Sequence, residues 1–352
     1  MLVEEATKDY FNGKVRQIFV YLTSRCQLRC RQCLYKPLLS IEPDDLDFDT
    51  LMRLLCKFRE YGAFKLSFLG GEPTLYKDEK CGATFSEVVN ASKEIGYNYV
   101  RVDTNGQFDP VFLSDSKIQR LDEITFSLDG YDEETHDAVR GKGVFLRCIS
   151  NIKLAVKLGF RVQITTCFHN GLCTDVDTGV KNILRIASLC DEIGVQSFNL
   201  HPILKIGAKR DNWIGNTEIE PHLWLEIYHK TLRVLHETSH KVSVRLPMRY
   251  VKKGLQNESH NYCPLKMGER ALIMPDGTIK VCAFNIGTSY CLAKFTANHI
   301  EHEQNNNELS KLDGSKTICC NQSSPNDLCN LCMSYKPQQD EPVWKYINAG
   351  SY

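Results

Sequence analysis

From Val15 to about Met248, short apolar runs alternate with longer amphipathic stretches, the pattern of repeated β-α units around a parallel sheet. Strands are predicted at Ile18 to Leu22, Lys65 to Leu69, Tyr99 to Asp103, Glu123 to Leu128, Arg161 to Thr166 and Ser197 to Pro202. Between them, apolar residues recur at helical spacing, as in Leu51, Leu54, Leu55 and Phe58, then Ile183, Ile186, Ala187 and Cys190. Six strands are too few for an eightfold barrel, so the expected fold is α/β, a partial (β/α)6 barrel. The polar stretch Lys205 to Glu220 leads into a helix near Pro221, and a short strand at Val242 to Leu246 closes this unit, giving a first domain over 1–248. From Tyr250 onward Asn, Cys, Lys and Gly predominate and long periodic segments are few. That suits a small cysteine-rich domain over 249–352, organised by metal and not by a core.

Charge excludes some partners. Lys plus Arg and Asp plus Glu number 43 each, so no global basic field draws the chain to nucleic acid or anionic lipid. No apolar stretch approaches the ~20 residues of a membrane span, and Met1 to Glu5 lacks the regions of a signal peptide. A cytoplasmic protein is expected, with no membrane partner. Sixteen cysteines in a chain of this size without an export signal read as metal ligands where they cluster. Two groups do so: Cys26, Cys30 and Cys33, then Cys263, Cys282, Cys319, Cys320, Cys329 and Cys332. Cys56, Cys148, Cys167 and Cys190 lie in apolar periodic segments and are expected to behave as small buried hydrophobes.

The first group places three thiols on one loop directly after the first strand. In a cubane cluster each iron takes one external ligand, so three cysteines leave the fourth iron open to a chelating substrate; a structural zinc site wants four closed ligands. Cys26-x3-Cys30-x2-Cys33 resembles the signature of the radical S-adenosylmethionine (radical SAM) superfamily. The resemblance implies a TIM-like partial barrel, a 4Fe-4S cluster on these cysteines, and S-adenosylmethionine as cosubstrate. The second strand ends in Gly70-Gly71-Glu72-Pro73, similar to the family's segment for the methionyl amino group. Paired glycines allow close backbone approach to a ligand, and a carboxylate accepts hydrogen bonds from an ammonium. Asp103-Thr104-Asn105-Gly106 resembles the third-strand ending; its alternative is a plain turn. Ser127-Leu128-Asp129-Gly130, with His136-Asp137 and Arg140-Gly141, resembles a segment of the subfamily with C-terminal cluster domains. This implies that Ser127 binds the methionyl or ribose portion and Arg140 the carboxylate, a structural salt bridge being the alternative for Arg140. The family usually carries an aromatic residue before the third cysteine; here Gln32 stands there, with Tyr35 nearby.

In the second group, Met274 to Cys282 reads as a hairpin turning at Asp276-Gly277 with a ligand on the returning strand. Together Cys263, Cys282, Cys329 and Cys332 make a four-thiolate site that suits zinc and iron-sulfur alike. The layout is similar to the auxiliary-cluster domains called SPASM and twitch, most of all twitch, which implies one auxiliary 4Fe-4S cluster; Cys319 and Cys320 stay unassigned. By the same resemblance a one-electron donor such as flavodoxin or ferredoxin reduces the first cluster, S-adenosylmethionine is cleaved to a 5'-deoxyadenosyl radical, and hydrogen leaves a substrate carbon. The expected outcome is two-electron oxidation of a small molecule, aminocyclitol or sugar-like, in natural-product biosynthesis. The alternatives are modification of a ribosomal peptide, or a non-enzymatic iron-sulfur or zinc protein. Substrate contacts are expected from Asn199, His201 and Arg245, with Glu269 or Arg270 beside the cluster domain.

Overall fold

The computed structural model describes residue 11 and residues 13–33, 35–40, 45–203, 217–246, 250–252, 268–280, 293–296, 299–301 and 328–330, with 250–252 and those after 280 as backbone strands alone. The six predicted strands appear as β1 (Gln17–Thr23), β2 (Lys65–Gly70), β3 (Tyr99–Thr104), β4 (Glu123–Ser127), β5 (Val162–Phe168) and β6 (Ser197–Pro202). They pair parallel in chain order. Helices α1 (Phe48–Glu60), α2 (Phe85–Glu94), α3 (Glu133–Arg140), α4 (Val144–Lys157), α5 (Val176–Ile193) and α6 (Pro221–Glu237) fill the connections other than β3 to β4, which carries the 3-10 turns Pro110–Ser114 and Ile118–Arg120. The predicted apolar stripes are the buried ones: Leu51, Leu54, Leu55 and Phe58 on α1, and Ile183, Ile186, Ala187 and Cys190 on α5. Local capping sets the helix starts, as where Asp47 Oδ1 accepts the Thr50 N–H at 2.9 Å.

β3 and the later halves of β5 and β6 show period-two burial, one face meeting helices and the other the barrel interior, whereas the centres of β2 and β4 are buried on both faces. Ile18, Val20, Leu66, Phe68, Val102 and Phe126 are fully buried in the outer layer beneath the helices. At about 1.5–3 kcal/mol for each large apolar side chain removed from water, this layer supplies most of the barrel's stability. A smaller apolar cluster, Tyr21, Leu38, Leu69, Leu272 and Met274, lies on the interior side of β1 and β2.

The closing strand expected at Val242 to Leu246 appears as β7 (Ser243–Arg245), parallel beyond β6. One feature was not expected: β9 (Arg270–Ile273) pairs parallel with the other edge of β1, Gln17 opposite Arg270. Eight parallel strands result, in the order β9-β1-β2-β3-β4-β5-β6-β7. Among the described residues β7 has no second neighbour, so the barrel is open. The edge of β1 explains why the later chain returns: unpaired N–H and C=O groups there need partners. The Asp276-Gly277 hairpin forms as expected. Gly277 takes φ 77°, Asp276 Oδ1 accepts the Thr278 N–H at 3.0 Å, and β10 (Thr278–Lys280) runs back antiparallel to β9. β11 (Ala293–Thr296) and β12 (His299–Glu301) continue the same sheet, while β8 (Tyr250–Lys252) pairs with β13 (Leu328–Asn330), Cys329 opposite Val251. No helix among the described residues is long and apolar enough to cross a membrane.

Candidate active site

The cysteine loop leaves β1 at Thr23 and is clamped from two sides. Its first half rests on the ends of β2 and β3. Gly71 N–H donates to Thr23 O and Glu72 N–H to Arg25 O, each at 2.7 Å. A Cβ on Gly71 would sit 2.1 Å from Arg25 O, and one on Gly70, at φ 138°, 2.4 Å from Thr23 O. The glycine pair is therefore required by contact with the cysteine loop itself, where the sequence suggested close approach to a ligand. Pro73 is buried and opens a 3-10 turn capped by Glu72.

Glu72 also departs from expectation. It is 0% exposed, and its carboxylate accepts from Thr104 Oγ1 at 2.7 Å, Asn105 N at 2.7 Å and Thr74 Oγ1 at 2.8 Å. Burial pushes its titration upward, against the pull of these hydrogen bonds. In this geometry Glu72 joins the ends of β2 and β3 and has little capacity left for a ligand's ammonium. Asn105, 6% exposed, turns its Nδ2 to within 3.8 Å of Cys26 Sγ, and Leu28 N–H points to the same sulfur at 3.4 Å. Two donors on one sulfur form the outer shell that a metal-bound thiolate uses.

The second half of the loop rests on β4 and α3. Arg31 N–H donates to Val139 O at 2.8 Å. Gln32 Nε2 and Arg140 Nε, the latter at 2.7 Å, both donate to Asp129 Oδ2. For Arg140 the structure thus contains the salt bridge, with its side chain 9% exposed. Gln32, where an aromatic residue was expected, is instead a buried tether to Asp129. Tyr35 turns toward the barrel interior and packs edge-on against Tyr21, centroids 5.1 Å apart.

All three cysteines are half-buried thiols without disulfides. Burial pushes Cys26 up to about 11, with Glu72, Cys30 and Cys33 adding to the rise. Burial also raises Cys30 and Cys33, and at both the Arg140 charge opposes the rise. Three thiols on one loop, none in a disulfide, with the Asn105 amide and the Leu28 N–H directed at Cys26, make a donor set that fits a thiolate-ligated cluster. Among the described residues no three His, Cys, Asp or Glu side chains converge as they would on one metal ion. A cubane, taking one thiolate per iron, does not need that convergence.

Residues 20–187, just under half of the chain, match the family model of the Radical SAM superfamily. These residues form a radical SAM domain. The cofactors of such a domain are a 4Fe-4S cluster and S-adenosylmethionine. Similar curated proteins include the GTP 3',8-cyclase of Psychromonas ingrahamii, 30% identical over 179 residues, covering 48% of this chain and 49% of that protein. The GTP 3',8-cyclase of Lactiplantibacillus plantarum is 32% identical over 143 residues, 40% of this chain and 41% of that one. The chain thus spans about half the length of the curated relatives it matches. In fold, the radical SAM domain and its extension resemble Streptococcus suis SuiB bound to S-adenosylmethionine, with TM-score 0.63, 17% identity, 83% of this chain and 66% of that chain covered. They also resemble native anSMEcpe with bound AdoMet and Kp18Cys peptide, with TM-score 0.61, 16% identity, 94% of this chain and 96% of that chain.

The radical SAM barrel brings some expected substrate residues together and separates others. Register places Ser127 opposite Thr165, Thr165 opposite Asn199 and Asn199 opposite Arg245, one row near the strand ends. All four are half-buried and alternate with buried residues, apolar except for Thr166. Asn199 Nδ2 lies 2.9 Å from His201 Nε2, and His201 stands opposite Cys167. Glu269 and Arg270 do not join them. Arg270 is level with Gln17 at the start of β1, about 20 Å below Thr23 at ~3.3 Å per residue, because β9 runs parallel to β1. Cys148 and Cys190 are buried as expected, whereas Cys56 is exposed and Cys167 half-buried on the interior side. Arg101 and Asp103, paired at 3.3 Å, also face the interior, and burial raises the Asp103 carboxyl. From the sequence Asp103 entered only as the start of Asp103-Thr104-Asn105-Gly106 and Arg101 not at all, though charges at alternate positions of a strand otherwise buried signal a polar lumen. In the second cysteine group Cys263, Cys282, Cys319, Cys320 and Cys332 lie outside the described residues, and Cys329 is described only as backbone of β13.

Proposed function

We propose that this chain is a radical SAM enzyme in which Cys26, Cys30 and Cys33 hold a 4Fe-4S cluster with one iron open to S-adenosylmethionine, and which oxidises a small polar molecule by two electrons. One observation carries the reading: three half-buried thiols stand on a single clamped loop at the C-terminal mouth of a barrel whose interior row is polar. When bound, cluster and cosubstrate supply a 5'-deoxyadenosyl radical that removes hydrogen from a substrate carbon. The chain's own task is to hold and orient. Gly70, Gly71, Glu72 and Pro73 fix the loop against β2, while Asn105 donates toward Cys26. Ser127 stands at the β4 end, where a methionyl or ribose group would reach it, and Arg140 keeps a cation beside the loop. Thr165, Asn199, His201 and Arg245 offer hydrogen bonds suited to hydroxyl and amino groups, which favours an aminocyclitol or sugar-like substrate. Cys263, Cys282, Cys329 and Cys332 are the proposed ligands of one auxiliary 4Fe-4S cluster, and a flavodoxin or ferredoxin the proposed electron donor.

Two other substrate classes have support. The curated relatives act on GTP by name, and a fold relative is SuiB bound to precursor peptide SuiA. Deuterium transfer separates the three. Anaerobically reconstituted protein is reduced with S-adenosylmethionine and perdeuterated aminocyclitol or sugar, nucleotide, or peptide pools, and 5'-deoxyadenosine is analysed by mass spectrometry. Label from the cyclitol or sugar pool supports the reading. Label from nucleotide or peptide alone replaces the substrate class, and absence of any 5'-deoxyadenosine removes the enzyme class.

A further inference from the structure

The two clamps on the cysteine loop differ in charge. Around Cys26 the donors are neutral, the Asn105 amide and the Leu28 N–H. Around Cys30 and Cys33 the clamp is ionic and centred on Asp129, which is 0% exposed. Asp129 Oδ2 receives Arg140 Nε and Gln32 Nε2, Oδ1 receives Cys167 N at 2.7 Å, and the Asp129 N–H donates to His136 Nδ1 at 3.1 Å. His169 Nε2 lies 3.3 Å from Asp129 O. A carboxylate engaged at both oxygens, with its backbone also held, cannot turn. Gln32 sits between Cys30 and Cys33 in the chain, and Val139, next to Arg140, accepts the Arg31 N–H. The guanidinium is therefore fixed against the very segment that carries two of the three cysteines.

We propose that the buried Asp129–Arg140 ion pair, held against the segment that carries Cys30 and Cys33, sets the reduction potential of the cluster on this loop, the Arg140 charge raising it and the Asp129 charge lowering it. The inference rests on the cluster assignment made above. Its physics is direct. Reduction adds one negative charge to the cluster, and a fixed cation in a site screened from water stabilises the more negative state. The buried Asp129 carboxylate offsets part of that effect while holding the cation in place.

The test is an EPR-monitored redox titration of the reconstituted full chain, the three-cysteine cluster being recognised by the change in its signal on adding S-adenosylmethionine. Arg140→Gln should lower the midpoint relative to the unaltered protein, Asp129→Asn should raise it, and Arg140→Lys should leave it near the original value, all with iron content retained. A purely structural role predicts no such opposite pair. Midpoints that shift in the same direction in Arg140→Gln and Asp129→Asn, or that do not shift, overturn the inference. If Asp129→Asn assembles no cluster, the Arg140 pair decides: equal midpoints in the Gln and Lys variants overturn it. Failure of the unaltered protein to assemble a cluster on this loop refutes the underlying assignment instead.

Discussion

The two faces of the same strands do different work. On β3, Val100 and Val102 are fully buried under the helices, while Tyr99, Arg101 and Asp103, each one residue away, are half-buried in the barrel interior. β6 repeats this, with Phe198 and Leu200 outward and Asn199 and His201 inward. A barrel interior is ordinarily packed with branched apolar side chains; here much of it is given to hydrogen-bonding groups, and the outer layer carries the stability. Alternation by one residue thus separates holding the fold from handling a substrate.

The largest expected effect belongs to the outer face. Phe68→Ala empties a fully buried position that packs edge-on against Phe85 at 5.4 Å, and should cost about 3–5 kcal/mol of stability, read by denaturant unfolding. A loss below about 1 kcal/mol would mean that the outer layer is not the source of stability. Glu72→Ala tests the boundary between the faces. It strands the Thr104 hydroxyl and the Asn105 N–H in a buried site, so it should destabilise by on the order of 3 kcal/mol as well as weaken S-adenosylmethionine binding, while Glu72→Gln should retain more of both. Weakened binding with unchanged stability would instead make Glu72 a ligand contact. The smallest stability effect is expected inside. Asn199→Ala removes a half-buried bond to His201 and should cost about 0.5–1.5 kcal/mol, yet abolish product while S-adenosylmethionine cleavage continues. Normal turnover would remove Asn199 from the substrate site.

Much of this was legible in the sequence because it is local. The Leu51-Leu54-Leu55-Phe58 stripe, the three-cysteine loop after a strand and the Asp276-Gly277 turn depend on neighbours a few residues apart. What escaped depends on pairing across the chain. Nothing in the residues around Arg270 reveals that β9 lies parallel beside β1, which carries Arg270 to the far end from the cysteine loop. The glycines at 70 and 71 announce close approach but not its partner, the Thr23–Arg25 backbone. Asp129 reads as part of a short motif, and its role as the hub for Gln32 and Arg140 comes from contacts 97 and 11 residues apart.

The central claim, that Cys26, Cys30 and Cys33 carry the cluster that cleaves S-adenosylmethionine, is tested most directly by comparing the unaltered protein with its triple Ala variant after anaerobic reconstitution. Iron and sulfide are counted, and 5'-deoxyadenosine is measured under reductant. The unaltered protein should bind about eight irons and eight sulfides, two 4Fe-4S clusters, and form 5'-deoxyadenosine, whereas the variant should keep about half the iron and form none. A folded triple variant that retains its full iron or still cleaves S-adenosylmethionine would contradict the account.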